Sequence, residues 1–315
     1  MGTARIAVTG ANGFVGRQVV SRAAASRVEV VGIVRSDGAA RVVSEAGGRP
    51  AQVPALQVDA LAPLLRGVEA VVHLAQIGGE RAGMTYEDVN VEGTRAVVEA
   101  ARRAGVRRVV YFSGLGVARY GQARRCTNPY FLSKLKAEVG LYEAGLQAVV
   151  FRPSYIVGPG DAFVRLLAGD VSRGEVELPG DGSYRMQPVA VADAADAVLA
   201  AVERPGTFPL AVDLVGPEPL ACAAFVAHVA AALGDAERPS KYRLTSVSVE
   251  EADRRAGAGG YRGMLPDELD CMLCDQVGDP RPLESLLGRF LTPVDQAVAR
   301  AVRGLSRFES AGLPQ

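Results

Sequence analysis

The sequence predicts an α/β protein in which a doubly wound parallel sheet is followed by a small, α-rich C-terminal part. Short apolar runs rich in β-branched residues alternate with longer segments of helical period through the first two thirds of the chain. Several of these runs are apolar on both faces, as expected where helices cover both sides of a sheet. At 315 residues, the chain is long enough for one large domain or two intimate ones.

The elements follow one another in the order that such a sheet requires. Strands are predicted near Arg5–Thr9, Val28–Val34, Leu56–Val58, Ala70–Leu74, Val109–Ser113, Ala148–Phe151 and Ala211–Leu214. Helices are predicted near Phe14–Ala25, Val89–Ala104, Tyr130–Ala144, Val191–Val202 and Ala221–Leu233. From Gly158 onward glycine and proline punctuate the chain, and the glycine-rich stretch Arg254–Met264 indicates either a mobile loop over a site or a surface insertion.

Charge and composition limit the classes of partner. Lys and Arg number 35 and so do Asp and Glu, so no long-range field gathers nucleic acid or an anionic membrane. The longest apolar stretch, Leu220–Leu233, is too short for a bilayer span, and no signal-peptide pattern precedes the first strand. Four scattered cysteines fit a reducing compartment. We therefore expect a cytoplasmic protein with a small-molecule substrate, without nucleic acid or membrane partners.

A glycine-rich loop, TGANGFVG, joins the first predicted strand to the first predicted helix. Gly10 permits a tight turn, Gly13 lets the backbone approach a pyrophosphate, and Gly16 lets helix and strand pack closely. The start of the helix adds N–H groups and partial positive charge. The residues predicted to bind a dinucleotide in this loop are Gly10, Asn12, Gly13, Phe14, Val15 and Gly16.

Arg35, at the end of the second predicted strand, indicates which dinucleotide is bound. An acidic residue at this position would bind the ribose 2′-hydroxyl of NAD, whereas a guanidinium pairs with the 2′-phosphate of NADP. NADP(H) is therefore preferred over NAD(H), with Arg17 as a second candidate for the phosphate. The alternative is that Arg35 is solvated and Asp37 reaches back to the ribose.

Taken with the motifs that follow it, this loop resembles that of the extended and atypical short-chain dehydrogenase/reductases, whose Rossmann-type domain is a doubly wound sheet. Similar motifs follow in the order LQVDAL, VVHLA, VNVEGTRAVVEAA, YFSGLG, PYFLSK and FRPSYIVGPGD, over roughly the first 215 residues. Within the superfamily they look most like the atypical branch related to the NADPH-binding accessory subunit of respiratory complex I. That branch contains both enzymes and proteins that only bind the cofactor.

The resemblance implies a division of the chain and further binding residues. Residues 1–157 would form the NADP-binding Rossmann domain, to which 185–215 return, and 158–184 with 216–315 would form the substrate-binding subdomain. Additional cofactor-binding residues implied by the matching motifs are Asp59, Ala75, Tyr130, Lys134, Pro153 and Ser154. Asn90 would mark the helix that supports the active site. The helices near 89–104 and 130–144 often pair two copies in this family, so a homodimer is one expected arrangement.

Tyr130 and Lys134 form a YxxxK motif, which places both side chains on one face of a helix. An ammonium beside a phenol favours the phenolate and lowers the tyrosine pKa. Tyr130 is therefore the expected acid/base and Lys134 its activator, while hydride passes to or from a nicotinamide.

The strand end before this motif departs from the family pattern. Ser113 and Gly114 occupy the positions of the usual Ser-Ser pair, and Gly114 lacks the hydroxyl that polarises the substrate carbonyl. Either Ser113 takes that role or it bonds to the backbone, in which case Ser154, Thr127 or Gln76 holds the carbonyl or no carbonyl chemistry occurs. Two functions stay open: an oxidoreductase or epimerase-like enzyme with Tyr130, Lys134 and Ser113 as catalytic residues, and a non-catalytic NADPH-binding structural or regulatory protein.

Three other polar patterns have structural explanations. Cys271 and Cys274 form a CxxC motif, but the chain has only two histidines and no second CxxC motif, so no metal site is expected. His73 lies in an apolar strand and is expected to be buried and hydrogen-bonded. Asp193 and Asp196 indicate a helix start, with an N-cap and first-turn charge.

Overall fold

The structure, a computed structural model, describes residues 4–204, 211–234 and 240–310, with side chains as far as residue 305. Its strands in chain order are β1 (Arg5–Thr9), β2 (Glu29–Val34), β3 (Arg49–Gln52), β4 (Ala70–His73), β5 (Arg108–Phe112), β6 (Gln147–Pro153), β7 (Ile156–Val157), β8 (Glu175–Pro179), β9 (Arg185–Met186), β10 (Val189–Ala190), β11 (Val212–Leu214), β12 (Leu220–Ala221) and β13 (Arg243–Val247). Its helices are α1 (Phe14–Ala25), α2 (Asp37–Glu45), α3 (Val58–Leu61), α4 (Gly93–Ala104), α5 (Pro129–Glu143), α6 (Ala162–Arg173), α7 (Val191–Glu203), α8 (Cys222–Leu233), α9 (Val249–Gly257), α10 (Pro266–Leu273), α11 (Arg281–Leu287) and α12 (Val294–Ser310).

Seven strands form one parallel sheet in the order β11-β6-β5-β4-β1-β2-β3. The order reverses between β1 and β4, which pair from Ile6–Ala70 to Thr9–His73. In such sheets the crevice at the reversal, outside the carboxyl ends of the strands, is where ligands bind. The predicted Rossmann-type α/β fold is confirmed.

Helices cover both faces of this sheet. Ile6 and Val8 of β1 pack with α1 and α7 on one face, whereas Ala7 between them packs with α4 and α5 on the other. Successive side chains of a strand point to opposite faces, so both sets must be apolar when both faces are covered. Burial on two sides explains the continuous apolar runs in the sequence.

The third strand of the sheet is not where the sequence predicts it. The prediction of a strand over Leu56–Val58 is wrong, because β3 spans Arg49–Gln52 and Val58 begins α3. As an edge strand, β3 exposes Arg49 and Gln52 and tolerates Pro50, so it lacks an apolar run. The helix α2 was also missed, although Ser36 caps it by accepting a hydrogen bond from the Ala39 amide at 3.3 Å.

The C-terminal part has a core of its own. Buried apolar side chains of α6, α8 and α12 form one cluster, which includes Leu167, Phe225 and Val298. Beside it, β8 and β13 form a short parallel pair. The prediction of a loop over Arg254–Met264 is wrong at its start, because residues 254–257 complete α9 with buried Ala256.

The start of α7 also differs from the prediction in one respect. Its N-cap is Ala190, and Asp193 lies in the first turn instead. The Asp193 carboxylate accepts hydrogen bonds from Arg289 Nη2 at 2.8 Å and from the Thr292 amide at 2.7 Å. Within the ranges described, no helix has the length and apolar character needed to cross a bilayer.

Candidate active site

The glycine loop forms a cradle that side chains would fill. Gly10 has a φ of +66°, and a Cβ added there would lie 2.8 Å from the Ala75 amide nitrogen. A Cβ on Gly16 would lie 2.1 Å from the Gly10 carbonyl oxygen. Gly13 is the N-cap of α1 and provides no side-chain cap, so the first-turn N–H groups face the crevice without one. The loop therefore fits the pyrophosphate of a dinucleotide.

A buried chain of hydrogen bonds holds this loop against β4. The Thr94 hydroxyl donates to the Asn90 carbonyl at 2.6 Å, so it accepts the bond from His73 Nε2 at 2.9 Å. His73 Nδ1 must then accept the 2.7 Å bond from the Thr9 hydroxyl. Burial, reinforced by Lys134, lowers the pKa of His73 to about 3, so the ring is neutral. The prediction that His73 is buried and hydrogen-bonded is confirmed.

Arg35, the predicted ligand of a 2′-phosphate, directly follows the carboxyl end of β2. Its side chain is exposed beyond the end of β2, and its carbonyl accepts a 3.3 Å bond from Gln52 Nε2. Asp37, the alternative ribose ligand, lies in the first turn of α2. Arg17 extends to the other side of the crevice, where Nη2 donates to the Pro159 carbonyl at 3.2 Å.

Asp59 lies on the surface near the start of α3. Its carboxylate forms an ion pair with Arg103 at 3.1 Å, and 95% of the side chain is exposed. Its role in cofactor binding stays a prediction. Pro153 and Ser154, also expected near the cofactor, line the large cavity described next.

A cavity of about 680 Å³ opens beside the carboxyl ends of β5 and β6. Ser113, Tyr130 and Gln76 line one end of it. Residues on and around α10, among them Glu268 and Cys271, also line it, and Cys271 packs in the same cluster as Tyr130. Segments far apart in the sequence therefore enclose one space of the size that holds a small organic molecule.

Tyr130 lies at the start of α5, which Asn128 caps by accepting a 2.9 Å bond from the Phe131 amide. Lys134, one turn later, is fully buried and donates to Gln76 Oε1. Its Nζ lies 4.4 Å from the centre of the Tyr111 ring. Asn90 supports this turn, because its side chain bonds both to Ile77 and to the Ser133 hydroxyl.

Burial governs the acidity of both residues. It lowers the pKa of Lys134 to about 7, against the opposing effect of Glu138. It also raises the pKa of Tyr130, with smaller contributions from Cys271 and Glu268. The lowered tyrosine pKa that the sequence predicts is therefore not observed, because burial is the largest effect on the phenol and it raises the pKa. A tyrosine with a raised pKa is protonated at neutral pH.

The structure explains the unusual Ser113-Gly114 pair. A Cβ on Gly114 would lie 3.0 Å from Cε1 of Phe131, whose ring packs over this strand end. Ser113 is buried, and its hydroxyl has no hydrogen-bond partner among the described residues. The alternative that Ser113 bonds to the backbone through its side chain is wrong.

The other candidates for holding a carbonyl are already engaged. Ser154 donates to the Gln276 carbonyl at 2.7 Å and accepts from the Gln187 amide at 3.1 Å. Thr127 is exposed and donates to the Ala123 carbonyl at 2.9 Å. Gln76 lines the cavity, but its oxygen accepts from Lys134. Of these candidates, Ser113 is the one that lines the cavity with a hydroxyl that is buried and has no partner among the described residues.

Sequence reasoning missed the part of the cavity lining that lies on and around α10. Cys271 of the CxxC motif lines the cavity, and Cys274 is buried. Met264, Glu268 and Met272 join Cys271 in this part of the lining. No motif marks them. In the described part of the chain, no group of three or more His, Cys, Asp or Glu residues is placed to hold a metal ion.

Comparison with known sequences matches most of the N-terminal two thirds of the chain. The profile of the NAD dependent epimerase/dehydratase family covers residues 6–211. A 4-hydroxy-2-methyl-3-oxo-4-farnesyl-3,4-dihydroquinoline-1-oxide ketoreductase of Stigmatella aurantiaca is 30% identical over 216 residues, which are 64% of this chain and 65% of that protein. A 2-alkyl-3-oxoalkanoate reductase of Stenotrophomonas maltophilia is 31% identical over 223 residues, 63% of this chain and 65% of that protein. The match thus spans about two thirds of these relatives.

Comparison with solved structures extends over nearly the whole fold. The UDP-glucuronic acid 4-epimerase from Bacillus cereus, in complex with UDP-glucuronic acid and NAD, superposes with a TM-score of 0.71. The match covers 96% of this chain and 99% of that chain at 18% identity. At this identity the likeness establishes the shared fold.

Proposed function

Because this chain belongs to the NAD-dependent epimerase/dehydratase family, we propose that it is an NADP(H)-dependent oxidoreductase acting on a small organic carbonyl or alcohol. The observation that carries this proposal is the unpartnered Ser113 hydroxyl, which shares one end of the cavity with Tyr130. Two of its relatives are named as a ketoreductase and a 3-oxoalkanoate reductase.

Four groups of residues would hold the cofactor. The glycine loop and the start of α1 would bind the pyrophosphate, and Arg35 would pair with the 2′-phosphate. Lys134 would bind the ribose hydroxyls. When bound, the nicotinamide supplies or accepts the hydride.

Ser113 and Tyr130 would act on the substrate oxygen. The Ser113 hydroxyl, which makes no other hydrogen bond among the described residues, donates to the carbonyl and polarises it. The raised pKa of Tyr130 keeps its phenol protonated at neutral pH, which suits a general acid that gives its proton to the developing alkoxide. Lys134, buried one turn away, favours the phenolate that this transfer leaves behind.

The space that Gly114 opens is taken by the Phe131 ring. A side chain at position 114 would contact this ring, and Ser113 stands one residue earlier at the same strand end. This geometry favours the enzyme over the non-catalytic binding protein.

The test is NADPH oxidation with a panel of methyl ketones and 3-oxoesters. Tyr130→Phe is expected to lower turnover about 10² to 10⁴-fold, in the range for a lost general acid, and to leave the NADPH Kd unchanged. Ser113→Ala is expected to lower turnover about 10² to 10³-fold, the range for loss of one hydrogen-bond donor to the developing oxyanion. Tyr142→Phe is the control, because Tyr142 lies on the same helix but does not line the cavity. This variant is expected to keep full activity.

Two results would contradict the proposal. Turnover that survives in Tyr130→Phe removes this residue from the chemistry. Tight NADPH binding without oxidation by any carbonyl of the panel favours the non-catalytic function.

A further inference from the structure

The cavity wall beyond Ser113 and Tyr130 is mainly apolar. Leu115, Ile156, Phe163 and Leu166 line it from the sheet side and from α6. We infer that the substrate is an uncharged ketone or alcohol with a long apolar arm that lies along this wall. The inference rests on the proposed function and specifies its substrate class.

Methionines make the cavity lining adaptable. Met186, Met264 and Met272 all line the cavity, and the whole chain has only five methionines. Methionine is unbranched and polarisable, so it fits against apolar ligands of varied shape. A wall of this kind suits a flexible alkyl or isoprenoid arm better than a rigid polar ring.

The charges at the cavity do not suit an anionic substrate. Arg262 is the one basic side chain among the described residues that line it. Its guanidinium pairs with Asp170 and donates to the Glu177 carbonyl, so its charge is already neutralised. A pyrophosphate or carboxylate bound here would lie without a compensating cation, which is costly at a partly buried site.

The turn that carries Arg262 is held in place. Tyr261 and Met264 exchange two backbone hydrogen bonds of 2.9 Å, and the Tyr261 hydroxyl donates to Glu177 Oε1 at 3.2 Å. Arg262 and Gly263 between them have φ of +54° and +83°. Positive φ at both central residues is what a two-residue turn of type I′ requires. Releasing Arg262 toward a substrate anion would break both its ion pair and this arrangement.

Glu268, the acidic residue that lines the cavity, adds to the selection against an anionic substrate. Glu268 Oε2 accepts a 2.9 Å hydrogen bond from the Leu265 amide, which fixes the carboxylate at the start of α10. Its negative charge beside the cavity repels an anion. An uncharged apolar arm meets no such penalty.

The test measures binding without turnover, by titration calorimetry on the full chain saturated with NADP⁺. The probes are 2-pentanone, 2-heptanone, 2-nonanone and UDP-glucose. Burial of each added methylene is expected to lower the ketone Kd about fourfold, since roughly 0.8 kcal/mol per CH₂ corresponds to that factor. UDP-glucose is expected to bind more weakly than 2-nonanone.

Two leucine variants locate the arm. Leu166→Gln, in the cavity wall, is expected to raise the 2-nonanone Kd at least tenfold and to leave that of 2-pentanone nearly unchanged. Leu244→Gln makes the same chemical change at an exposed leucine of β13 outside the cavity, and is expected to leave both unchanged.

The outcomes separate this inference from the proposed function. Ketone Kd values that do not fall with chain length, or UDP-glucose that binds more tightly than 2-nonanone, would overturn the inference. Turnover of short ketones could then still support the proposed function. Chain-length-dependent binding without NADPH oxidation would uphold the apolar site and refute the proposed chemistry.

Discussion

The two sides of the crevice are built in different ways. The glycine loop between β1 and α1 is shaped by backbone, and its key distances are fixed by atoms within seven residues of Gly10, apart from those of Leu74 and Ala75. The cavity wall is shaped by side chains from residues 113–131, 153–186 and 262–276. A short motif can therefore specify the first side, whereas the second depends on how distant segments pack.

The two sides also differ in what holds them together. Around the glycine loop, short neutral hydrogen bonds such as Thr9–His73 join neighbouring strands of the sheet. Around the cavity wall, ion pairs join separate segments, as Arg125 does by pairing with Asp253 and Asp270. The first side is expected to be rigid, and the second to depend on a few charged contacts.

The largest effect on cofactor affinity is expected from Gly16→Ala, which disrupts the glycine loop. The added Cβ would lie 2.1 Å from the Gly10 carbonyl oxygen, so the loop or α1 must move. We expect the NADPH Kd to rise at least 100-fold, measured by fluorescence titration, since the pyrophosphate site depends on both elements.

Gly140→Ala is the matched control. Gly140 lies within α5, and an added Cβ would meet no atom within 4 Å. Its NADPH Kd should not change, and the free energy of unfolding should rise by about 0.5 to 1 kcal/mol from better helix propensity. An NADPH Kd for Gly16→Ala within threefold of wild type would show that the loop is not the cofactor site.

A smaller effect on the same side is expected from Arg35→Ala. Loss of the guanidinium should raise the NADPH Kd about 10 to 100-fold and leave the NADH Kd unchanged, because only NADPH carries the 2′-phosphate. Arg41→Ala, at an exposed arginine of α2, should alter neither. An unchanged preference for NADPH would remove Arg35 from the site, and a preference for NADH that is lost in Asp37→Ala would establish the alternative.

This contrast also decides how much the sequence could predict. The paired strands β1 and β4 and the helix α1 were predicted closely, since burial on two faces and the glycine loop leave local patterns. The strand β3 was misplaced because an edge strand with exposed Arg49 and Gln52 needs no apolar run. The division of the chain into two domains stays a prediction.

In the candidate active site, the residues that could be predicted are again those that share one short stretch of sequence. The resemblance identified Tyr130 and Lys134, and their places on α5 follow from the helical period. That the Ser113 hydroxyl has no partner, and that the Phe131 ring packs against Gly114, depend on tertiary packing that no spacing reveals. The wall formed by Met264 and Met272 depends on how α10 docks across the cavity, which is a tertiary property.

Lys134 lies where the two sides meet, and it makes stability depend on pH. Burial lowers its pKa to about 7 from an unfolded value near 10.5, so between these values the unfolded chain binds more protons. The free energy of unfolding should therefore rise with pH through this window, by up to about 1.4 kcal/mol per pH unit from this group.

Lys134→Met isolates this contribution from that of other titrating groups. Denaturant unfolding of both proteins from pH 6 to 9 gives the difference in stability at each pH. At low pH the free energy of unfolding of the wild type should be lower than that of Lys134→Met. This difference should shrink as the pH rises. A difference that is constant over this range would mean that Lys134 stays protonated in the fold.

The smallest effect is expected on the side-chain-built side, from Arg125→Met. Arg125 Nη1 lies 2.7 Å from Asp253 Oδ1 on α9 and also contacts Asp270 on α10, and its side chain is mostly buried. Its loss leaves two partly buried carboxylates unpaired, which should destabilise these helices by about 1 to 2 kcal/mol. Amide hydrogen exchange over residues 249–273 should then accelerate about tenfold, while that of β1, β4 and β5 and the NADPH Kd stay unchanged.

Arg103→Met, which removes exposed ion pairs from α4, should change exchange in neither region. Faster exchange throughout the sheet in Arg125→Met would mean that the two sides unfold as one unit, and that the cavity wall is no more dependent on its ion pairs than the cofactor loop.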